Sequence, residues 1–316
     1  MKFLHAMPLH GRLLFFVIAV LALTCIISPW FALAADWFAA DGLGWFSERI
    51  PFSRVFNRAF MISGVVLFIL FRRQFIDGRI KELFAARFVL AGRDLLIGWG
   101  LAIGSMILLT VAMTAGDIFT PYFRLSLSRA LSRIASATMA GISVGIIEEL
   151  FFRGILFMGL YRQGNWVRAY LAANLFYSVL HFVKPGKPYF LDGIEPLAGF
   201  SHLLVSFRPF LDPIVLLPGI FGLFLIGIVL SYALIRTGKL YLGIGLHAGW
   251  VFSLKTMRVF GDFTRDDLGW VFGETDPKIV SGVATWAGIL LVGVAVHLLT
   301  KRRAARSGDP RHARAV

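Results

Sequence analysis

Charged residues are scarce in this sequence. Asp, Glu, Lys and Arg make up 16% of its 316 residues, against about 25% in an average soluble domain. Hydrophobic residues make up 58%, which excludes a disordered chain and a soluble globular one. A helix needs about 20 apolar residues to cross a bilayer. Charge-free runs of about that length, or shorter, lie at residues 13–35, 59–71, 95–116, 134–147, 169–183, 213–235, 240–254 and 279–300. The composition therefore predicts an all-α, polytopic membrane protein with about eight transmembrane helices.

Residue types and motifs that the sequence lacks argue against several kinds of active site. Cys25 is the single cysteine, which excludes an intrachain disulfide and metal sites built on several thiolates; we expect it to be an ordinary buried residue. The sequence has no His-Glu-x-x-His pair, no Gly-x-Ser-x-Gly and no glycine-rich phosphate loop. No aspartate lies within a predicted span. Zinc proteolysis of the His-Glu-x-x-His type, serine hydrolysis, nucleotide binding and an aspartyl dyad are therefore disfavoured.

The net charge of +14 has a simple explanation in a membrane protein. Lys and Arg collect in cytoplasmic loops, so we predict no nucleic-acid partner. Their distribution over the loops predicts both termini in the cytoplasm. We expect an integral membrane protein of the bacterial inner membrane. The sequence at residues 31–34 resembles the end of a signal peptide, but the preceding apolar run exceeds the usual core of about 7–15 residues. We therefore favour a retained first helix.

Three charged residues lie within six positions of one apolar run, at Glu148, Glu149 and Arg153. A charge inside a membrane is costly, so such residues are functional by default. Glu149 and Arg153 are four residues apart and can pair on one helical face. Glu148 is turned about 100° away and shares its face with Gly141 and Gly145, which permit the close approach of a neighbouring helix. This pattern predicts a polar site inside the bundle, with Glu148 as a candidate general base.

Two histidines lie on other predicted helices. His181 shares a face with Asn174, Tyr177 and Ser178, and His247 lies in a glycine-rich run. With Glu148 they form a candidate catalytic set. One glutamate and two histidines also match a zinc site with an open fourth position, so a metal held by Glu148, His181 and His247 remains an alternative. A proton-coupled carrier is another, because membrane carboxylates and histidines also relay protons.

Taken together, these motifs resemble those of the CAAX-protease and bacteriocin-processing (CPBP, Abi-type) intramembrane endopeptidases. The similarity covers residues 132–259. It is carried by Glu148-Glu149-Leu-Phe-Phe-Arg153, by Tyr177-x-x-x-His181 and by Gly-Leu-His247-Ala-Gly-Trp250. The second motif usually opens with Phe, and the third usually ends with Asn, where this chain has Val251.

The resemblance implies a division of roles and a metal-free glutamate mechanism. Glu148 would activate a water for attack on a peptide carbonyl, and His181 would help to position that water. His247 would donate to the developing oxyanion, and Glu149 with Arg153 would support Glu148. The family's Asn would be the second oxyanion donor, so the N–H of Trp250 or the hydroxyl of Tyr177 would have to replace it.

We therefore predict an intramembrane endopeptidase that acts on a peptide or membrane-protein substrate without a cofactor. Residues 1–131 would form N-terminal transmembrane helices, and 132–259 the catalytic core. Residues 260–316 would hold an outer acidic loop, the last helix and a basic tail. Because Val251 replaces Asn, a weakly active or inactive relative that binds membrane proteins, for example as an immunity factor, is the alternative.

Overall fold

The protein is built almost entirely of helices. The computed structural model describes residue 7 and residues 9–40, 49–75, 78–183, 189–193, 195–265, 267–273 and 279–307. The α-helices are α1 (Leu9–Ala40), α2 (Phe52–Phe75), α3 (Gly78–Phe84), α4 (Phe88–Ala115), α5 (Leu127–Glu148), α6 (Met158–Tyr161), α7 (Trp166–Leu180), α8 (Ala198–Ser206), α9 (Pro213–Thr237), α10 (Tyr241–Thr256), α11 (Gly269–Phe272) and α12 (Val283–Ser307). A π-helix (Glu149–Phe157) joins α5 to α6, and 3-10 turns occupy Arg208–Leu211, Met257–Val259 and Ile279–Ser281.

The predicted membrane architecture is confirmed. Within the described residues, six helices are long and apolar enough to cross a bilayer: Gly11–Ala39, Phe52–Phe71, Phe88–Ala115, Leu127–Tyr161, Leu216–Thr237 and Val283–Lys301. The other two predicted spans correspond to α7 and α10, which have 15 and 16 residues. These two helices are shorter than the roughly 20 residues that a bilayer requires, and they carry the predicted histidine motifs.

The first of two compact units comprises Met1–Asp77 and Leu180–Leu216. Its apolar core is formed by α1, α2 and α8 together with Leu191. Cys25 is fully buried in that core, and its thiol donates to the Gly199 carbonyl at 3.5 Å. The expectation of an ordinary buried cysteine is met. Arg49 holds the end of α1 to the following loop by hydrogen bonds to Asp36 at 2.9 Å and to the Leu191 carbonyl at 2.5 Å.

The second unit comprises Gly78–Val179 and Leu217–Val316, and α10 lies at its centre. One face of α10 meets α5 at the predicted small residues: a Cβ added at Gly141 would lie 2.7 Å from the Ala248 oxygen, and one at Gly145 3.1 Å from the Ile244 oxygen. A second face of α10 meets α4, where a Cβ added at Gly249 would lie 2.7 Å from that of Ala102. The backbones therefore approach closely on both sides, and the position of α10 is tightly fixed.

A short antiparallel ribbon closes one end of this unit. Strand β1 (Phe119–Pro121) pairs with β2 (Gly261–Phe263), with Phe119 opposite Phe263. Their rings meet edge to face with centroids 5.5 Å apart. The ribbon ties the end of α4 to the end of α10, and so it reinforces the pairing of these two helices.

Candidate active site

The charged motif lies where an α-helix changes into a π-helix. One helical span runs from Leu127 to Tyr161, but its segment Glu149–Phe157 has π geometry. The expectation of regular α-helical turns is therefore wrong beyond Glu148. Hydrogen bonds in a π-helix run over five residues instead of four, and such segments are frequent at functional sites. The wider turn begins at the second glutamate of the motif.

Glu149 binds two partners through one oxygen. Arg153 Nη1 donates to Glu149 Oε1 at 2.9 Å, as the four-residue spacing predicts. His247 Nδ1 lies 2.9 Å from the same Oε1. The side chains of Glu149, Arg153 and His247 are 0%, 1% and 5% exposed. Because these three side chains are shielded from water, the hydrogen bonds and ion pair among them must replace the solvation that they lose.

The imidazole ring of His247 lies between two glutamates. Its Nδ1 faces Glu149, while its Nε2 lies 3.6 Å from Oε2 of Glu148. When Glu149 is ionised, its Oε1 only accepts, so the proton of a neutral His247 belongs on Nδ1. Nε2 then carries a lone pair, and it becomes a donor only in the imidazolium form. Glu148 is 26% exposed, which makes it the accessible carboxylate of the pair.

Aromatic rings surround the Arg153 guanidinium. Its Cζ lies 4.2 Å from the centre of the Tyr177 ring and 5.9 Å from that of Phe152. The Tyr177 ring also stands edge-on to His247, with centroids 6.2 Å apart. The interaction of a cation with an aromatic face strengthens when it is shielded from water. Tyr177 therefore borders both the arginine and the histidine of the cluster.

The indole N–H of Trp250 already has a hydrogen-bond partner. Its indole N–H donates to Ser105 Oγ on α4 at 3.2 Å, and its side chain belongs to the buried apolar core. An indole has a single donor, so this geometry argues against the prediction that Trp250 replaces the missing oxyanion donor. Val251 follows on α10, one turn beyond His247, and has no polar side-chain atom. Of the two candidates for that role, Tyr177 is the one that borders His247.

His181 follows the last residue of α7 and is half-buried. It lies in the first unit, which includes Leu180–Leu216, whereas Glu148 and His247 lie in the second. Its participation in the site remains a prediction.

Of the three ligands of the zinc alternative, the second unit holds Glu148 and His247. Oε1 of Glu149 and Nδ1 of His247 are used in the contact with each other, so Glu148 Oε2 and His247 Nε2 are the two atoms that face one another as ligands. Catalytic zinc takes three protein ligands. Within the part of the chain that the structure describes, no three His, Cys, Asp or Glu residues are grouped to hold a metal ion.

Two residues of the site were missed by sequence reasoning. A Cβ added at Gly243 would lie 3.0 Å from Glu149 Oε2, so this glycine leaves room for the carboxylate. Ser105 anchors Trp250 from a different helix. The Gly-x-Gly run before His247 was a usable signal for the first residue, while nothing local to Ser105 marks the second.

Fold and site together define a polytopic membrane protein that holds a Glu–Glu–Arg–His cluster among its helices. Comparison with known families shows what the central part of the chain is similar to. Residues 130–253 match the family described as type II CAAX prenyl endopeptidase, Rce1-like. This match confirms the resemblance to the CPBP/CAAX protease family over the helices that carry Glu148, Tyr177 and His247. No curated protein and no solved structure gave a significant match.

Proposed function

We propose that this protein is an intramembrane endopeptidase in which Glu148 activates the attacking water. The observation that carries the proposal is the pairing of Glu148, the accessible carboxylate, with Nε2 of His247 at 3.6 Å. The match of residues 130–253 to a protease family supports the reaction class. Arg153 pairs with Glu149, and Glu148, at 26% exposed, is the more exposed of the two glutamates.

The proposed reaction balances with these groups alone. Glu148 accepts a proton from water, and the resulting hydroxide adds to the carbonyl carbon of the scissile peptide bond. The C=O π electrons move to oxygen, and His247 Nε2–H, in the imidazolium form, donates to that oxyanion. The oxyanion then reforms the carbonyl, the C–N bond breaks, and the Glu148 carboxylic acid gives its proton to the departing nitrogen. The products are a carboxylic acid and an amine.

Glu149 has a positioning role in this scheme. Its contact with Nδ1 fixes the orientation and tautomer of the ring, as a carboxylate does for the histidine of a catalytic triad. Arg153 holds that carboxylate from the other side. His181 would complete the set by positioning the water, as the family resemblance implies.

The test is hydrolysis by the full-length protein purified and reconstituted in liposomes. Fluorogenic peptides ending in Cys-aliphatic-aliphatic-X, with and without a farnesyl group, would be assayed beside a general peptide library, because the family description names a prenyl endopeptidase. We expect Glu148→Gln to lower turnover by about 10²–10⁴, the usual contribution of a general base. Turnover that survives Glu148→Gln would overturn the role of Glu148.

A matched control is available in Glu82, an exposed glutamate on α3. Glu82→Gln removes the same charge and should leave turnover unchanged. His247→Ala should abolish most activity. His247→Gln keeps an N–H donor and should retain more activity than His247→Ala if donation to the oxyanion is the function of the ring.

A second function is favoured by Val251. If the missing oxyanion donor is not replaced, the chain is a binding protein for membrane polypeptides rather than an efficient protease. Loss of one such donor costs about 10²–10³ in rate in a well-studied hydrolase. A large gain of turnover in Val251→Asn would identify an impaired protease. The absence of turnover in both forms, with retained peptide binding, would favour the binding role.

A further inference from the structure

A crevice between helices lies in the second unit, with polar side chains and apolar ones in its walls. Arg93 and Asp94 from α4 and Thr300 from α12 line it, together with Ile97, Leu101 and Val296. We call this the basic crevice. On the predicted orientation, these ends of α4 and α12 lie on the cytoplasmic side, where anionic lipids give the bilayer surface a negative potential.

The buried cation Arg236 contacts Thr300, one of the residues that line the crevice. Arg236, near the end of α9, is 5% exposed. Its Nε donates to Thr300 Oγ1 at 3.1 Å, and its Cζ lies 5.8 Å from the centre of the Tyr232 ring. Among the described residues, no carboxylate forms an ion pair with Arg236. Buried charges in proteins are normally paired, and within the part of the chain that the structure describes this positive charge has no anion beside it.

The helix end near Arg236 offsets only part of that charge. The carbonyl end of an α-helix carries about half of a negative elementary charge. Arg93 adds a second positive charge and is exposed, as is Lys301, which follows Thr300. Asp94 subtracts one, but it is buried and is itself engaged by other groups of the protein. The surroundings of the crevice are therefore net positive.

The apolar floor of the crevice adjoins side chains that face lipid. Ile97 and Leu101 are half-buried and Val296 is fully buried, so these residues form the floor. Leu96 and Leu299 beside them are 67% and 53% exposed, as expected for side chains that face lipid. A ligand that fits both parts has an anionic head and a hydrocarbon tail.

We propose that the basic crevice binds an anionic phospholipid of the cytoplasmic leaflet. Its phosphodiester would bind the exposed Arg93 and be attracted by the charge of the buried Arg236, and one acyl chain would lie along the exposed Leu96 and Leu299. Guanidinium groups bind phosphate oxygens well, often through two hydrogen bonds. Basic pockets between transmembrane helices are known to accept lipid headgroups. This site is separate from the glutamate–histidine cluster and does not depend on its activity.

The test is native mass spectrometry of the detergent-purified full-length protein, titrated with phosphatidylglycerol or with phosphatidylcholine of the same acyl chains. We expect phosphatidylglycerol to bind more tightly, and Arg93→Gln to weaken it by about fivefold, the effect of one basic residue on attraction to an anionic lipid. Asp94→Asn should strengthen binding, because it removes the opposing charge. Arg129→Gln, at an exposed arginine at the start of α5, is the matched control and should change nothing.

Three results would overturn the proposal. Equal binding of the two lipids would remove the role of charge. Equal effects of Arg93→Gln and Arg129→Gln would place the lipid elsewhere. Displacement of phosphatidylglycerol by millimolar inorganic phosphate alone would indicate an ion site without a place for the acyl chain. Arg93 is exposed, so its substitution tests the site without disturbing the buried Arg236.

Discussion

Arg153 Nη1 and His247 Nδ1 both lie 2.9 Å from the same atom, Oε1 of Glu149. One carboxylate oxygen thus links a residue four positions away on its own helix to a residue on α10. The link couples the charged motif to the histidine that faces Glu148. It makes Glu149 the structural centre of the site, although Glu148 is the more exposed of the two glutamates.

The buried Glu149–Arg153 pair should behave as a unit in unfolding experiments. Glu149→Gln leaves the Arg153 cation buried without its carboxylate, and Arg153→Met leaves the carboxylate without its cation. Removing one partner of a buried pair costs about 3–5 kcal/mol. The double variant should be less destabilised than the sum of the single ones, as measured by thermal unfolding in detergent. Simple additivity would contradict this coupling. Asp267→Asn, which breaks the exposed pair with Arg265, is the control and should leave the unfolding temperature unchanged.

Gly243→Ala should impair turnover more than stability. The new methyl carbon would lie 3.0 Å from Glu149 Oε2, so the carboxylate must shift by a few tenths of an ångström. Because a displacement of about 1 Å in an active site can cost on the order of 10² in rate, we expect a loss on the order of tenfold in peptide hydrolysis. Gly100→Ala on α4, where an added Cβ meets nothing within 4 Å, provides the comparison. Equal activity of the two variants would show that the Glu149 carboxylate accommodates the added methyl group without a loss of function.

The seam between α5 and α10 should not tolerate a side chain. In Gly141→Ala the new carbon would lie 2.7 Å from the Ala248 oxygen, which is backbone and cannot rotate away. Overpacking of this kind typically costs about 1–3 kcal/mol, and it would move His247 relative to Glu149. We expect a lower unfolding temperature and reduced turnover. Gly104→Ala, in open space on α4, should show neither change, and a harmless Gly141→Ala would mean that the helices separate easily.

The reactivity of the single cysteine measures how tightly the helices of the first unit pack. Cys25 is fully buried, so a membrane-permeable maleimide should label it slowly in the folded protein and quickly after denaturation in sodium dodecyl sulfate. Gly199→Ala should accelerate labelling, because its methyl group would collide with the Cys25 carbonyl and push α8 from α1. Gly64→Ala on α2, with no neighbour within 4 Å, should label like the wild type. Fast labelling of the wild type would contradict the packing of α8 over Cys25.

Local spacing was sufficient to predict part of the site. The four-residue separation of Glu149 and Arg153 gives their ion pair, and the spacing of Gly141 and Gly145 gives a close helix contact. The apolar runs likewise give a membrane fold, because length and hydropathy alone decide whether a helix can span a bilayer. These features depend on neighbours in sequence, for which periodicity is informative.

The remaining features depend on contacts that periodicity does not encode. The contact of Glu149 with His247 joins residues separated by 98 positions, and no helical repeat says which two helices meet. The hydrogen bond of Trp250 with Ser105 also joins residues far apart in the sequence. It uses the indole N–H that the sequence analysis offered as an oxyanion donor. The π-helix is missed for a different reason: the α-helical phase of 3.6 residues per turn was assumed throughout.

The number of residues in the π-helical segment also helps to determine the geometry of the site. A single-residue deletion between Glu149 and Arg153 would rotate everything downstream about the helix axis relative to Glu148 and Glu149. The guanidinium would then leave the carboxylate even though every functional side chain was still encoded. In the comparison of homologous genes, a one-codon insertion or deletion in this segment would therefore count as a change of active-site geometry, as severe as replacing one of the glutamates.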